Sequence, residues 1–189
     1  GYGSAMKENL AGIEDYTRIG SLLQPEQIVK YGELTLRENQ IAYAEPSFFR
    51  LFDFELLKGD KKTCLSMPGQ VVITERIASK YFKDEDPIGK IFIFTGAYDK
   101  ISCEVTGVMK EMPSNSHIHY SFLISYKSLP KYMQEYWYKH EAYTYVLLDS
   151  PERKAEIERE FPVMAEKYKT DEALKNKTWG VSLIPLADI

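Results

Sequence analysis

Apolar residues along this chain recur with two periods, and the switches between them mark out the elements. Ile101, Cys103 and Val105 alternate with Ser102, Glu104 and Thr106. That period of two belongs to a strand with one buried face, and it predicts a strand over Ile101–Val108. In Gln40–Glu45 the same alternation sets Ile41 and Tyr43 against Ala42 and Ala44. Val71–Ile73, Ile91–Phe94 and Val146–Leu148 are continuous apolar runs of strand length. Further strands are expected at Asp15–Ile19, Tyr120–Ile124 and Tyr143–Leu148, and a hairpin from Gln27–Gly32 and Glu33–Leu36.

The helical period is clearest at Ile77, Ala78, Tyr81 and Phe82, which fall on one stripe of a helix Glu75–Phe82. Thr74 is suited to cap it, and Asp84-Glu85-Asp86-Pro87 stops it. Pro46 fits the first turn of a short aromatic helix, Ser47–Phe52. Another short helix is expected at Ser4–Asn9. Ser150-Pro151-Glu152 opens a longer one, with Ile157, Phe161, Met164 and Tyr168 on its buried face and Pro162 expected to kink or split it. A last strand at Trp179–Leu186 would complete a βαβ-type unit from Tyr143 to Leu186. The order of elements gives an α+β fold in two lobes.

At 189 residues, 44% apolar and 28% charged, the chain has the make-up of an ordinary globular domain. A net charge of −4, with lysines and arginines scattered among acids, argues against a nucleic-acid partner. No apolar run reaches the roughly 18–20 residues of a membrane-spanning helix, and GYGSAMKENL has no signal-peptide core. The chain reads as a piece of a longer protein. Cys64 and Cys103 leave a disulfide open, although Cys103 occupies an inward position where a small apolar side chain fits.

Candidate chemistry is sparse. His117 and His119 stand two apart, so on a strand both would face one metal, but no paired carboxylate or thiolate has the spacing to complete a zinc site. The acids at 84–86 lack the alternate-position ligands of a calcium loop. Gly89-Lys90 resembles the end of a phosphate loop, yet Asp84 and Ile91 stand where glycine and a hydroxyl residue are needed. No G-x-S-x-G elbow is present. No catalytic, metal or cofactor residue is assigned, and the chain reads as a non-enzyme. The candidate binding face is the aromatic run Tyr132, Tyr136, Trp137, Tyr138, Tyr143 and Tyr145, since these side chains join apolar area to a polar tip. Of these, Tyr132, Tyr136, Trp137 and Tyr138 are the candidate interaction surface; packing between lobes is the competing use of the run.

Six phrases, in order, carry a family likeness. They are AMKENLAGIEDYTRI at Ala5–Ile19, YAEPSFFRLFDFELLKGD at Tyr43–Asp60, VVITERIASKYF at Val71–Phe82, EDPIGK at Glu85–Lys90, VTGVMKEMPSNSH at Val105–His117 and SLIPLADI at Ser182–Ile189. Together they resemble the periplasmic core domain of MacB/FtsX-type ABC transporter permeases. The resemblance implies a domain inserted between transmembrane helices, on the periplasmic face of the bacterial inner membrane. It implies as partners a cytoplasmic ATPase, a second permease copy and a periplasmic adaptor or cargo such as a peptide, lipoprotein or drug. It also implies a membrane-near βαβ-type lobe (1–65 and 129–189) and an inserted mixed α/β distal lobe (66–128), with both chain ends on the membrane side. A solute-binding or sensor module is the alternative reading.

Overall fold

The computed structural model describes residues 1–21, 26–96, 100–135, 142–169 and 175–189. In chain order the elements are α1 (Tyr2–Asn9), β1 (Ile13–Gly20), β2 (Glu26–Tyr31), β3 (Leu34–Asn39), β4 (Ile41–Ala44), α2 (Phe48–Leu51), β5 (Leu56–Lys58), β6 (Gln70–Thr74), α3 (Glu75–Phe82), β7 (Ile91–Thr95), β8 (Lys100–Met109), β9 (Phe122–Ser125), α4 (Lys131–Gln134), β10 (Tyr143–Leu148) and α5 (Arg153–Glu166). The strands form one mixed sheet in the order β10-β1-β4-β9-β6-β8-β7-β2-β3, with β5 paired to β8 off this path. β4 with β9 and β6 with β8 are parallel; the other pairs are antiparallel.

The continuous apolar runs are explained by burial on both faces of the central strands. Val71, Ile73, Phe122 and Ile124 point into a core beneath α3, with Phe92, Phe94, Cys103 and Val105. Their neighbours Val72 and Leu123 point the other way, into a core closed by Phe48, Phe49 and Phe52 around α2. A third core lies at the β10–β1 end, where α1 and α5 bring together Met6, Leu10, Ile157, Phe161 and Met164. Phe92 sits at the centre of an aromatic cluster, edge-on to Tyr81, Phe82 and Phe122 at 4.8, 5.4 and 5.8 Å between centroids.

The cap on α3 forms as the sequence implies: Thr74 Oγ1 accepts from the Ile77 amide at 3.5 Å. β5 does not stand out in the sequence, having only three residues. It is held by Gly59 (φ 96°), where an added Cβ would lie 2.4 Å from the Thr106 carbonyl oxygen.

Two expectations change. α5 is not split at Pro162 but runs unbroken from Arg153 to Glu166; Ile157 before the proline and Met164 and Ala165 after it are buried in one core, which anchors both halves. Trp179–Leu186 does not form a strand. Trp179, Val181 and Leu183 do face inward at every second position, against the third core. The alternation is therefore real, but no ladder hydrogen bonds accompany it among the described residues.

Strands from the segments expected as two lobes share this one sheet: β4 pairs with β9, and the hairpin β2–β3 pairs with β7. Residues 26–39 thus sit at the end of the sheet opposite β10 and β1.

Candidate interaction site

At the β10 end of the sheet an open groove of about 1260 Å³ runs along β10, under the extended segment 177–186 and past α1. Its apolar lining includes Phe52, Val146, Phe161 and Leu183, and its polar tips include Arg18, His117, Tyr126 and Tyr145. Gly1 and Ile189 both line this groove, so the two ends of the chain lie at the same end of the sheet.

One wall is set by a buried ion pair. β1 carries Arg18 beside Glu45, the residue after β4. Arg18 Nε donates to Glu45 Oε1 at 2.7 Å, and its Nη2 donates to the same oxygen. Nη1 donates to the Gln134 carbonyl at 2.5 Å, and the guanidinium lies 4.1 Å from the centre of the Tyr126 ring. A charge taken out of water must be paired and hydrogen-bonded to persist. This arginine meets that requirement through a carboxylate, a carbonyl and an aromatic face, which ties β1, the β4–α2 junction and the segment 126–134 together.

Tyr145 forms a second fixed point. Its hydroxyl is 2.9 Å from His117 Nε2, and its ring meets Phe52 edge-on at 4.9 Å. Burial, followed by the neighbouring Tyr120 and Tyr143, pushes its phenol up to about 12. Behind the wall Asp15 accepts from Lys7 at 2.8 Å and from Arg50 Nε at 2.6 Å, joining α1, β1 and α2. Burial pushes the Asp15 carboxyl up, but these hydrogen bonds outweigh it and hold the group below its usual range.

The residues singled out by sequence divide. Tyr145 is built into the groove, while Tyr143, on the edge strand, is 70% exposed. Tyr132 lies on α4 and is 61% exposed. Tyr136, Trp137, Tyr138 and His140 lie outside the described residues. His117 pairs with Tyr145, and among the described residues no group of three or more His, Cys, Asp or Glu is placed to hold a metal. Cys64 and Cys103 are separate, buried thiols; burial pushes them up to about 11 and about 12 respectively. Asp86 and Glu85 pair with Lys58 and Lys90 at 3.0 Å each. Arg18 and Glu45 were not singled out by sequence; the available signal was a long cation inside the strand pattern DYTRIG, where an inward position normally excludes charge.

Residues 2–162 match the family model of the MacB-like periplasmic core domain, and the chain belongs to that family. The fold is shared with solved structures. A domain from Porphyromonas gingivalis, of a protein named provisionally as a permease, superposes with a TM-score of 0.76 at 23% identity, covering 91% of this chain and 78% of that one. The periplasmic region of MacB from Actinobacillus actinomycetemcomitans gives 0.61 at 17% identity, covering 95% and 77%. The extracellular domain of the noncanonical ABC-type transporter YknZ from Gram-positive bacteria gives 0.59 at 16% identity, covering 90% and 85%. No curated protein matches the sequence. No helix among the described residues is long and apolar enough to cross a membrane.

Proposed function

We propose that this domain serves an ABC transporter permease as a mechanical relay between ATP-driven movement in the membrane and export or extraction of a cargo such as a peptide, lipoprotein or drug. In this reading it is carried by transmembrane helices on the periplasmic face of the inner membrane and works beside a second copy and a cytoplasmic ATPase. The observation that carries the reading is family membership across residues 2–162 together with a single sheet running from β10 to β3. A continuous hydrogen-bonded sheet whose central strands are buried on both faces transmits displacement as a body, because packed interiors do not deform gradually. The β10–β1–β4 end, where both chain ends lie, is assigned to the membrane side. The distal side takes residues 66–128 and the hairpin of residues 26–39. Tyr132, with Tyr136, Trp137 and Tyr138, is assigned to contacts with the twin domain, a periplasmic adaptor or cargo.

The test is a disulfide that locks two copies of the domain together in the full permease. Loss of transport with ATP binding intact is expected; full transport by the locked pair sinks the relay. A solute-binding or sensor role is the second reading, favoured by the volume and aromatic lining of the groove. Saturable binding of a small apolar solute, abolished by Tyr145→Ala, would support it over the relay.

A further inference from the structure

The two edges of the sheet differ in chemistry. β3 carries Arg37 and Glu38, and Arg37 pairs across the hairpin with Glu26 at 3.3 Å. Charges of this kind blunt an edge against pairing with a further strand. β10 reads YTYVLL, with no charge, and Leu147 and Tyr143 are exposed. Within the described sheet β10 pairs only with β1, so its other side meets no described strand.

The segment facing that side has the features of a strand without its ladder. Trp179, Val181 and Leu183 pack against the core that Val146 and Leu148 of β10 also join, while Gly180, Ser182 and Ile184 point out. The Leu183 amide donates to Glu158 Oε1 of α5 at 2.7 Å. In an extended chain successive amides point to opposite sides. The amides of Gly180, Ser182 and Ile184 are therefore turned away from α5. The 14-residue α5 lies between β10 and this segment in the chain, which is enough for the crossover a parallel neighbour needs. All of β10 and residues 177–186 line the same groove.

We propose that residues 179–184 are a clasp that closes onto β10 as a parallel edge strand, donating from the amides of Gly180, Ser182 and Ile184. Closed, the clasp removes the uncharged edge from solution; open, it exposes six residues of strand to any other extended chain.

Residue-resolved hydrogen exchange on the chain tests this. The β10 amides not bonded to β1 are expected to exchange within about tenfold of those that are. Ser182→Pro removes one ladder donor from an outward position and should speed the outer set by at least about tenfold. Ser182→Ala keeps the amide and should leave it slow. The amides bonded to β1 report the integrity of the fold in both variants. Outer amides that exchange freely in the unaltered chain, or that are equally slow in Ser182→Pro, overturn the clasp. Protection that rises with protein concentration assigns the edge to a second copy and overturns it as well.

Discussion

Removing one member of the Arg18–Glu45 pair should cost far more than removing both. In Glu45→Ala the guanidinium keeps the Gln134 carbonyl and the Tyr126 face but loses the carboxylate that takes two of its donors. Both side chains are close to nine-tenths buried, so water cannot replace the lost partner without opening the groove wall. Unpairing a buried charge costs about 3–5 kcal/mol, whereas apolar replacement of a whole buried pair is often neutral. Glu45→Ala is therefore expected to lose about 3–5 kcal/mol, and Arg18→Met with Glu45→Leu less than about 2 kcal/mol. Urea unfolding followed by far-UV circular dichroism gives both values, with an unchanged slope showing that the denatured state is not the cause. A double variant that loses as much as the two single variants added together would refute the reasoning, because the sites would then be independent.

Three further outcomes follow from the packing. Phe82→Ala empties a site in contact with Tyr31 and Phe92, at 4.6 and 5.4 Å between ring centroids, and should cost about 3–5 kcal/mol in the same urea assay; a loss under about 1 kcal/mol would show that the cluster does not hold α3. Gly59→Ala meets both an unfavourable φ and the Thr106 carbonyl, so a melting temperature within a degree or two of the parent would contradict the described β5–β8 approach. The Asp15 carboxyl is held below its ordinary value in the folded chain, so the stability it contributes is present above about pH 3.8 and is lost as pH falls through the folded value. Asp15→Asn should flatten that part of the stability–pH curve, and an unchanged acid limb would show that the Lys7 and Arg50 contacts carry no weight.

What was legible in the sequence was local. The helix Glu75–Phe82 could be read because its stripe, its Thr74 cap and its Pro87 stop are all written within a few residues. The central strands were found because burial on two faces leaves no polar positions in VVI or FLI. The groove is not legible, since Arg18, Phe52, His117, Tyr126 and Tyr145 come together only through pairings across the sheet and packing at the second core. Tyr145 was noticed as an aromatic, but its bond to His117 lies 28 positions back along the chain. The strand expected at Trp179–Leu186 does not form, although Trp179, Val181 and Leu183 face inward, because periodicity reports burial and not whether a ladder has formed. Pro162 does not split α5, because a proline penalty is outweighed when both halves of a helix share one core.

The central claim is that the domain moves as one body within a permease. Spin labels at exposed Leu34 on β3 and Glu14 on β1 mark the two ends of the sheet, while buried Cys64 and Cys103 are poorly placed to react. Distances should be measured in the membrane-embedded transporter before and after ATP. The Leu34–Glu14 distance within one domain is expected to stay constant while the Leu34–Leu34 distance between two copies shifts. A change within the domain, with the two copies fixed relative to each other, would contradict the relay.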